Sequence, residues 1–322
     1  MESKNLIFLI SQPRSGSSML QQLILSNGKI VSSPEPWQML SLIHTFKITE
    51  NKEGFNPNYA SINFTRYLSE LKGGLLDYKH NIKNLALKLY GDRVEDGQYF
   101  LDKTPRYYHI IEELYDMFPE AKFVFLVRNP LSVFASILDY NFKGDFIEFL
   151  KSSDRLDDLF LAPKFIQRSI ERHENAILIR YEDIVKTTNK TLKNLFDYLG
   201  FEQSIKKEYK IQGAFSNSQH VDTKSLNKHN EPVESYLDSW KSVIDTKQKK
   251  KLAKQYLKKL GLDNPYFNYN LRDIYNQLEN HMTKRQHYFS IPFNLLSQKE
   301  ENLSTFQLIK KRVLIKLQSK IS

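Results

Sequence analysis

The stretch "SQPRSGSSML" follows the apolar run "NLIFLI" and combines small hydroxyl residues, one glycine and one arginine before a helix-like pattern. Backbone amides at such a strand-to-helix turn bind anions. In the phosphate-loop pattern G-x-x-x-x-G-K-[ST], Gly16 occupies the second glycine and Ser18 the final hydroxyl. Ser11 and Ser17, however, replace the first glycine and the lysine. The turn therefore suits a single phosphate better than it suits a triphosphate with magnesium. The positive charge of Arg14 points to a second anionic group next to that phosphate. An ordinary serine-rich turn is the alternative.

A second candidate phosphate site lies in "FVFLVRNPLSVFAS", where an apolar run ends at Arg128 and a helix-like pattern carries Ser136. An arginine at a strand end and a hydroxyl on the following helix form a phosphate clamp, which the helix dipole strengthens. A surface ion pair for Arg128 and a helix-interior hydroxyl for Ser136 are the alternative. Two phosphate sites beside one sheet suit a nucleotide with phosphates at both ends of its ribose better than they suit ATP.

The elements that must position these residues are short apolar runs that alternate with helix-like segments. Such strands, apolar on both faces, predict an α/β fold with a central, mostly parallel sheet. Helices flank both faces of this sheet, as in the three-layer sandwich of P-loop NTPases. Both candidate phosphate sites fall at carboxyl ends of strands, where open α/β sheets bind ligands. The predicted strands are Leu6–Ile10, Tyr99–Leu101, Phe123–Val127 and Ala176–Ile179.

The domain organisation follows from where this alternation weakens. Residues 40–95 and 141–172 are less regular, and we expect them to form insertions above the sheet that contain the acceptor site. We predict one α/β domain over residues 1–270 and a helical extension over residues 271–322.

The tail of the chain, residues 304–322, has a basic amphipathic pattern. Such a helix packs its apolar face on the parent domain or lies on an anionic membrane surface. We favour the first interpretation, and peripheral contact with the inner face of the membrane is the alternative. The apolar positions are Phe306, Ile309, Val313 and Leu317.

Composition excludes several kinds of site. The chain has no cysteine, which excludes disulfides, thiol nucleophiles and cysteine-rich zinc sites and suits a reducing compartment. No apolar run resembles a signal peptide or a membrane span, so we predict a cytoplasmic protein. The net charge is +10, but the lysines are scattered and no nucleic-acid signature accompanies them, so we expect no nucleic-acid partner. The histidines lack metal-ligand spacing, and we expect no metal.

Four blocks of the chain resemble one family. "PRSGSSMLQQLI" resembles the 5′-phosphosulfate loop of sulfotransferases that use 3′-phosphoadenosine 5′-phosphosulfate (PAPS). "FVFLVRNPLSVFAS" resembles that family's 3′-phosphate strand and helix, with Arg128 and Ser136 spaced as the family's arginine and serine are. "FLDKTPRYYHIIEELYDMFPEAK" and "ILIRYEDIVKTTNKTLKNLFDYLGF" also match in content and order. The resemblance extends with gaps from Pro13 to Phe201 and implies a PAPS-dependent enzyme that acts on a hydroxyl acceptor.

The resemblance also implies which residues bind the donor. Arg14 and Lys103 would lie beside the sulfate and its bridging oxygen, although Lys103 could instead pair with Asp102. A C-terminal loop closes over the nucleotide in this family, and here Lys224 and Lys228 are its candidate contacts. The Arg-Lys-Gly form of that loop in the cytosolic enzymes is absent. Apart from these two lysines, the residues expected to bind PAPS are Arg14, Ser15, Gly16, Ser17, Ser18, Arg128 and Ser136.

The same resemblance assigns the general base. Cytosolic members place a histidine two residues after the lysine, but Pro105 occupies that position here. Members that act on protein tyrosines or polysaccharides use a glutamate after the first helix, and Glu35 corresponds to it. We therefore expect Glu35, which follows a probable second strand, to be the base. His109 is the second candidate, and a water-exposed loop glutamate is the alternative for Glu35.

Two other functions stay open from the residues alone. A P-loop-like kinase is one, and Ser17 at the lysine position counts against it. A non-catalytic binder of polyanions is the other, and it would depend on the basic surface. For the sulfotransferase, we expect a carbohydrate, a glycolipid or another small or envelope-linked hydroxyl compound as acceptor.

Overall fold

A parallel sheet of five strands forms the centre of the computed structural model, which describes residues 1–45, 57–202 and 231–284 together with Ser304 and Gln307. The strand order is β2-β3-β1-β4-β5, and every neighbouring pair is parallel. Every residue of β1 is buried, because this central strand is covered on both faces. The strands are β1 (Leu6–Ser11), β2 (Ile30–Ser32), β3 (Tyr99–Lys103), β4 (Lys122–Val127) and β5 (Ala176–Arg180).

Helices surround this sheet and connect its strands. The α-helices are α1 (Ser17–Leu25), α2 (Gln38–Ile43), α3 (Pro57–Glu70), α4 (Gly74–Gly91), α5 (Ile111–Met117), α6 (Pro130–Phe142), α7 (Phe146–Lys151), α8 (Ser153–Arg172), α9 (Tyr181–Lys186), α10 (Thr188–Leu199), α11 (Trp240–Val243), α12 (Lys247–Leu260) and α13 (Leu271–Asn280). Short 3₁₀ helices span Ser3–Asn5, Pro105–Ile110 and Glu234–Tyr236.

Two separate hydrophobic layers lie on the two faces of the sheet. Side chains alternate along β1, so Phe8 contributes to one layer and Leu9 to the other. The Phe8 layer includes core residues of α2, α4, α5, α6, α8, α12 and α13. The Leu9 layer includes core residues of α1, α9 and α10. The predicted α/β three-layer architecture, with a parallel sheet and helices on both faces, is confirmed.

The register of the sheet places three strand ends at one edge. Leu9 of β1 pairs with Lys103, the last residue of β3. Ser11, at the end of β1, pairs with Leu126 near the end of β4. Parallel strands all point the same way, so the segments after β1, β3 and β4 leave the sheet close together. The predicted candidates Arg14, Lys103 and Arg128 come from these ends.

The segments expected to be irregular contain long helices. Within 40–95 the helices α3 and α4 pack against each other, with the Phe64 and Tyr78 rings 5.0 Å apart edge to face. Tyr78, Ile82 and Ala86 recur at a spacing of four, which aligns them on one face of α4 against the core. Within 141–172, α7 and α8 are helical. The acceptor role of both segments stays a prediction.

Several expectations concern the C-terminal third. Leu271, Ile274 and Leu278 of α13 belong to the Phe8 layer, so this helix packs in the same core as the sheet. Lys224 and Lys228 lie outside the described residues, as does the tail apart from Ser304 and Gln307. In the part of the chain that the structure describes, no helix is long and apolar enough to cross a membrane.

Candidate active site

The turn between β1 and α1 has a backbone shape that depends on glycine. Gly16 precedes α1 and has φ +95°, and Arg14 has φ +69°. A Cβ atom at Gly16 would lie 2.6 Å from a ring carbon of Tyr181, closer than side-chain carbons approach. Any other residue here would therefore be strained and would collide with Tyr181. The turn directs the free amides at the start of α1 toward the edge of the sheet.

Unpaired polar groups collect around this turn. The hydroxyls of Ser11 and Ser15 are buried without a hydrogen-bond partner among the described residues. Nε of Arg128 is also buried and has no partner among them. Buried polar groups are normally hydrogen-bonded, so such a group indicates a place that a ligand or water completes. Two hydroxyls and a guanidinium beside the amides of a helix start fit an anionic group. These hydrogen-bond donors fit the phosphates of PAPS, the nucleotide that the family resemblance implies.

Arg128 follows β4 and is held in place by backbone oxygens. Its Nη2 donates to the carbonyl of Tyr236 at 2.9 Å, and its Nη1 donates to the carbonyl of Arg14 at 3.4 Å. The guanidinium carbon lies 4.1 Å from the centre of the Tyr181 ring. Burial lowers the pKa of Arg128, against the opposing influence of Tyr181 and Glu182. An anion bound here would remove part of the cost of burying this charge.

Arg14 lies beside Ser136. Ser136 and Arg128 are the two residues of the predicted 3′-phosphate clamp. Nε of Arg14 donates to Oγ of Ser136 at 3.3 Å. The guanidinium carbon of Arg14 also lies 3.8 Å from the centre of the Tyr140 ring. The structure thus brings Arg14, Ser136 and Arg128 together at one edge of the sheet. The predicted place of Arg14 beside the sulfate stays a prediction.

Residues that sequence analysis did not single out support the Arg128 segment. Asn129 caps α6, since its Oδ1 accepts from the Leu131 amide at 2.9 Å. Oε1 of Glu182 accepts from the Asn129 amide at 3.0 Å, and the Tyr269 hydroxyl donates to Oε2 of Glu182. "YED" after the last strand of a parallel sheet is the signal that could have indicated Tyr181 and Glu182, because this position faces the same edge.

Lys103 and Glu35 form a buried ion pair next to the turn. Nζ of Lys103 donates to Oε1 of Glu35 at 2.8 Å; the Lys103 side chain is fully buried and that of Glu35 is 13% exposed. Nε1 of Trp37 donates to Oε2 of Glu35 at 3.3 Å. Burial lowers the pKa of Lys103, and Glu35 opposes this shift. Lys103 therefore contacts Glu35, while the alternative partner Asp102 accepts from three hydroxyls.

The segment that carries Glu35 is anchored on both sides. It follows β2, where the Ser32 hydroxyl donates to the carbonyl of Leu101 at 2.6 Å. The Gln21 amide nitrogen, from α1, donates to the Ser33 carbonyl at 3.2 Å. Trp37 has a left-handed backbone with φ +55°, and α2 begins directly after it. These contacts fix Glu35 beside Lys103 although 68 residues separate the two along the chain.

The second candidate base and the other predicted features are placed as follows. His109 is half-buried in the Pro105–Ile110 helix, with its ring centre 4.1 Å from that of Tyr108. Its role as a base stays a prediction. Ser17 begins α1 and Ser18 follows it, at the turn where an anion would bind. Within the described ranges, no group of three or more histidine or carboxylate side chains is arranged to hold a metal ion.

A groove of about 740 Å³ lies away from this cluster, between α8 and the turn before α13. Phe160 and Lys164 of α8 line it together with Tyr266 and Phe267. None of the candidate donor-site residues that the structure describes contributes to it. Asp158, on another face of α8, instead contacts the segment after β1. Its backbone carbonyl accepts a hydrogen bond from the side-chain nitrogen of Gln12 at 3.0 Å.

Comparisons with known proteins show the family of this chain. The model of the "Sulfotransferase family" matches residues 6–204, which is over half of the chain. Nodulation protein NoeE of Sinorhizobium fredii is 29% identical over 132 residues, which cover 40% of this chain and 30% of NoeE. An uncharacterized protein of Aquifex aeolicus is 26% identical over 144 residues, which cover 44% of this chain and 18% of that protein. The chain therefore spans less than a third of these curated relatives.

Solved structures share the fold. The sulfotransferase domain from the curacin biosynthetic pathway superposes with a TM-score of 0.52 at 20% identity and covers 86% of this chain and 98% of that domain. The sulfotransferase domain from the Synechococcus PCC 7002 olefin synthase has a TM-score of 0.50 at 20% identity, over 74% of this chain and 87% of that domain. Because the family model matches residues 6–204, which include all five strands of the sheet, the chain belongs to the sulfotransferase family.

Proposed function

We propose that this chain transfers a sulfuryl group from PAPS to a hydroxyl acceptor, with Glu35 as the general base. The observation that carries the proposal is the pairing of two sets of unsatisfied donors at one sheet edge. One set is the β1–α1 turn with the unpaired Ser15 hydroxyl, and the other is the buried Arg128 with its unpaired Nε. A nucleotide with a 5′-phosphosulfate and a separate 3′-phosphate matches two sites better than a triphosphate does.

The donor supplies an activated sulfuryl group and leaves as 3′,5′-adenosine bisphosphate. In the transfer, the acceptor oxygen forms a bond to sulfur, while the bond from sulfur to the bridging oxygen breaks and its electron pair stays on the departing phosphate. The acceptor hydroxyl loses its proton to the Glu35 carboxylate. Lys103 and Arg14 supply positive charge where the departing phosphate gains negative charge. Burial strengthens these charge interactions because little water screens them.

The Glu35 carboxylate keeps capacity for the acceptor. A carboxylate offers about four lone-pair sites, and the contacts with Lys103 and Trp37 use two of them. An incoming hydroxyl can therefore donate to Glu35 without displacing Lys103. This arrangement favours the glutamate-base members of the family as the model for this chain over the histidine-base members, whose histidine position is occupied by Pro105.

The first test is calorimetric titration with 3′,5′-adenosine bisphosphate and, separately, with ATP and magnesium. We expect binding of the bisphosphate, weakened roughly tenfold or more in Arg128→Ala because a charge-assisted contact is lost. Lys122→Ala is the matched control: Lys122 begins β4 and Arg128 directly follows its end, so each change removes one positive charge at one end of this strand. Preference for ATP would replace the proposal with a kinase.

The control also separates the polyanion binder from the enzyme. A general basic surface would lose the same affinity in Lys122→Ala as in Arg128→Ala and would depend steeply on salt. Bisphosphate binding that is specific to Arg128 justifies an acceptor screen with PAPS, covering carbohydrates, glycolipids and other hydroxyl compounds. Labelled sulfate in a product, absent without the chain, is the result that establishes transfer.

The proposed partners are the nucleotide donor and the hydroxyl acceptor, without nucleic acid. The basic tail, residues 304–322, lies almost wholly outside the described residues, and its membrane contact is the alternative to packing on the domain. Anionic liposomes distinguish the two. Binding that is lost when residues 304–322 are removed supports peripheral membrane contact, and unchanged binding excludes it.

A further inference from the structure

A second buried carboxylate lies next to the candidate active site. Asp102 directly precedes Lys103 on β3 and has no exposed surface. Its carboxylate accepts hydrogen bonds from the hydroxyls of Tyr90 at 2.6 Å, Tyr107 at 2.8 Å and Thr104 at 2.8 Å. Burial raises the pKa of both tyrosines well above the ordinary value of 10, so both hydroxyls keep their protons and donate them.

One of these hydroxyls makes a further contact. The oxygen of Tyr107 accepts from the backbone amide of Met39 at 3.0 Å. A hydroxyl has one proton to donate, and an ionised carboxylate only accepts. Asp102 therefore accepts the hydrogen bond that Tyr107 donates, and the lone pairs of the Tyr107 oxygen stay available to accept from the Met39 amide. Without an acceptor at Asp102, the Tyr107 proton could turn toward the Met39 amide, where two donors would oppose each other.

The Met39 amide belongs to the first turn of α2. Helix α2 begins at Gln38, and its N-terminal flanking residue Trp37 makes no side-chain cap. The first amides of a helix lack partners within the helix, so the Tyr107 oxygen supplies one that α2 would otherwise lack. The Gln38 side chain adds a second anchor, since its nitrogen donates to the Ala86 carbonyl at 3.3 Å. The start of α2 is therefore fixed three residues after Glu35.

Asp102 and Lys103 hold this segment from opposite faces of the sheet. Consecutive side chains of a strand point to opposite faces. Lys103 contacts the Glu35 carboxylate itself. Asp102 reaches the same segment through Tyr107 and Met39 on the other face, where Tyr107 and Met39 both belong to the Phe8 layer.

We infer that Asp102 is a positioning residue that acts through Tyr107 to hold the Glu35 segment in the geometry required for proton transfer. The inference rests on the proposed function of Glu35 as base. A buried carboxylate is expensive relative to an apolar side chain of similar size, so its presence is not explained by stability alone. Burial raises the pKa of Asp102 from its ordinary value of 3.8 to about 6, despite the three hydroxyl donors and Lys103.

Tyr90 provides a matched control for the test. The Tyr90 and Tyr107 hydroxyls are both buried, and both donate to Oδ2 of Asp102. Tyr90→Phe and Tyr107→Phe thus remove the same group from the same oxygen. Only Tyr107 also contacts the Met39 amide. A role confined to stabilising the buried carboxylate predicts similar effects of the two changes, whereas a positioning role predicts different ones.

The experiment measures hydrogen exchange of the Met39 amide by NMR in the full chain, together with thermal unfolding and bisphosphate affinity. We expect Met39 exchange to be about tenfold faster in Tyr107→Phe and in Asp102→Asn, and within about twofold of the unchanged chain in Tyr90→Phe. Bisphosphate affinity stays unchanged in all three variants, because Arg128 and the β1–α1 turn are not altered. With an acceptor from the screen, kcat falls about tenfold in Tyr107→Phe while KM for PAPS is retained.

Other results would overturn the inference. Equal Met39 exchange in Tyr107→Phe and Tyr90→Phe, or losses of kcat that follow the unfolding temperature in both, would assign Asp102 a structural role only. If either variant fails to fold, Asp102→Asn gives the same comparison through Met39 exchange and kcat. Failure of the proposed function is a separate result: the unchanged chain would not bind the bisphosphate, whereas the Met39 exchange would still report the Asp102 contact.

Discussion

Nζ of Lys103 lies 2.8 Å from Oε1 of Glu35, and this ion pair joins the end of β3 to the segment after β2. The Lys103 side chain is fully buried, so its charge depends on Glu35 for compensation. The Trp37 indole contacts the other oxygen of the same carboxylate at 3.3 Å. The lysine that would stabilise the departing phosphate thus also orients the carboxylate that would accept the proton, and each change to the pair affects both steps.

Glu35→Gln removes the proton acceptor while it keeps the size of the side chain. We expect bisphosphate affinity to be retained and kcat to fall about 100-fold or more, since general-base catalysis contributes a factor of this size. Calorimetry and transfer of labelled sulfate from PAPS measure the two quantities. A kcat near that of the unchanged chain would remove Glu35 from the base role and make His109 the next candidate.

The pH dependence of transfer should report the protonation of Lys103. Burial lowers the pKa of Lys103 below its ordinary value of 10.5. The proposed transfer requires the charged ammonium beside the departing phosphate, so kcat should decline on the basic side at a pH below 10.5. The measurement is kcat against pH under saturating donor. A profile that stays flat up to the ordinary lysine value would contradict a catalytic charge at Lys103.

Gly16→Ala tests the shape of the β1–α1 turn. An alanine at φ +95° is strained by about 1–2 kcal/mol, and its Cβ would also collide with the Tyr181 ring. We expect a lower free energy of unfolding and weaker bisphosphate binding. Gly28→Ala is the matched control, because Gly28 has φ +80° but no atom within 4 Å of the added Cβ. Equal losses in the two variants would show that the contact with Tyr181 is unimportant.

The stability of the fold should respond to pH through Asp102. The folded chain holds this proton up to about pH 6, whereas an ordinary aspartate releases it near 3.8. Between these values the folded state binds more protons than the unfolded state, so the free energy of unfolding falls as pH rises. The full effect is about 3 kcal/mol. Denaturant unfolding at several pH values measures it.

Asp102→Asn should remove this contribution to the pH dependence. The exposed Asp139, changed to asparagine, is the control and should leave the decline in place. The same slope in Asp102→Asn and in the unchanged chain would mean that other groups cause it. Because only differences between variants are compared, the many other carboxylates of the chain cancel.

Much of the fold and part of the site could be predicted from sequence. Four of the strands contain a continuous apolar run and several helices are periodic, so a parallel sheet follows from the pattern. The small residues after β1 and the arginine after β4 indicate an anion site, because parallel strand ends meet at one edge. Strand β3 extends two residues beyond the predicted apolar run Tyr99–Leu101 and includes Asp102 and Lys103. The partners of these two charged side chains come from distant segments, so the apolar pattern does not reveal them.

The missed features depend on contacts between distant segments. Whether Lys103 contacts Asp102 or Glu35 is decided by the pleat of β3 and the position of β2, not by local sequence. The Tyr181 ring over Gly16 and the Tyr236 carbonyl at Arg128 are likewise set by packing. The helices α3 and α4 were missed because polar residues interrupt their apolar positions, asparagines in α3 and both lysines and asparagines in α4.

The hydrogen bond from Arg128 to the Tyr236 carbonyl has a consequence for the order in which the molecule is assembled. The two residues are 108 positions apart. During translation, the five strands and Arg128 are synthesised well before the segment that contains Tyr236. Domains of growing chains fold as units. A nascent chain with all five strands would thus still lack the Tyr236 contact of Arg128 and the part of its core that α11 to α13 supply. The surroundings of Arg128 would then be completed late in synthesis, when the segment that begins at residue 231 docks on the sheet.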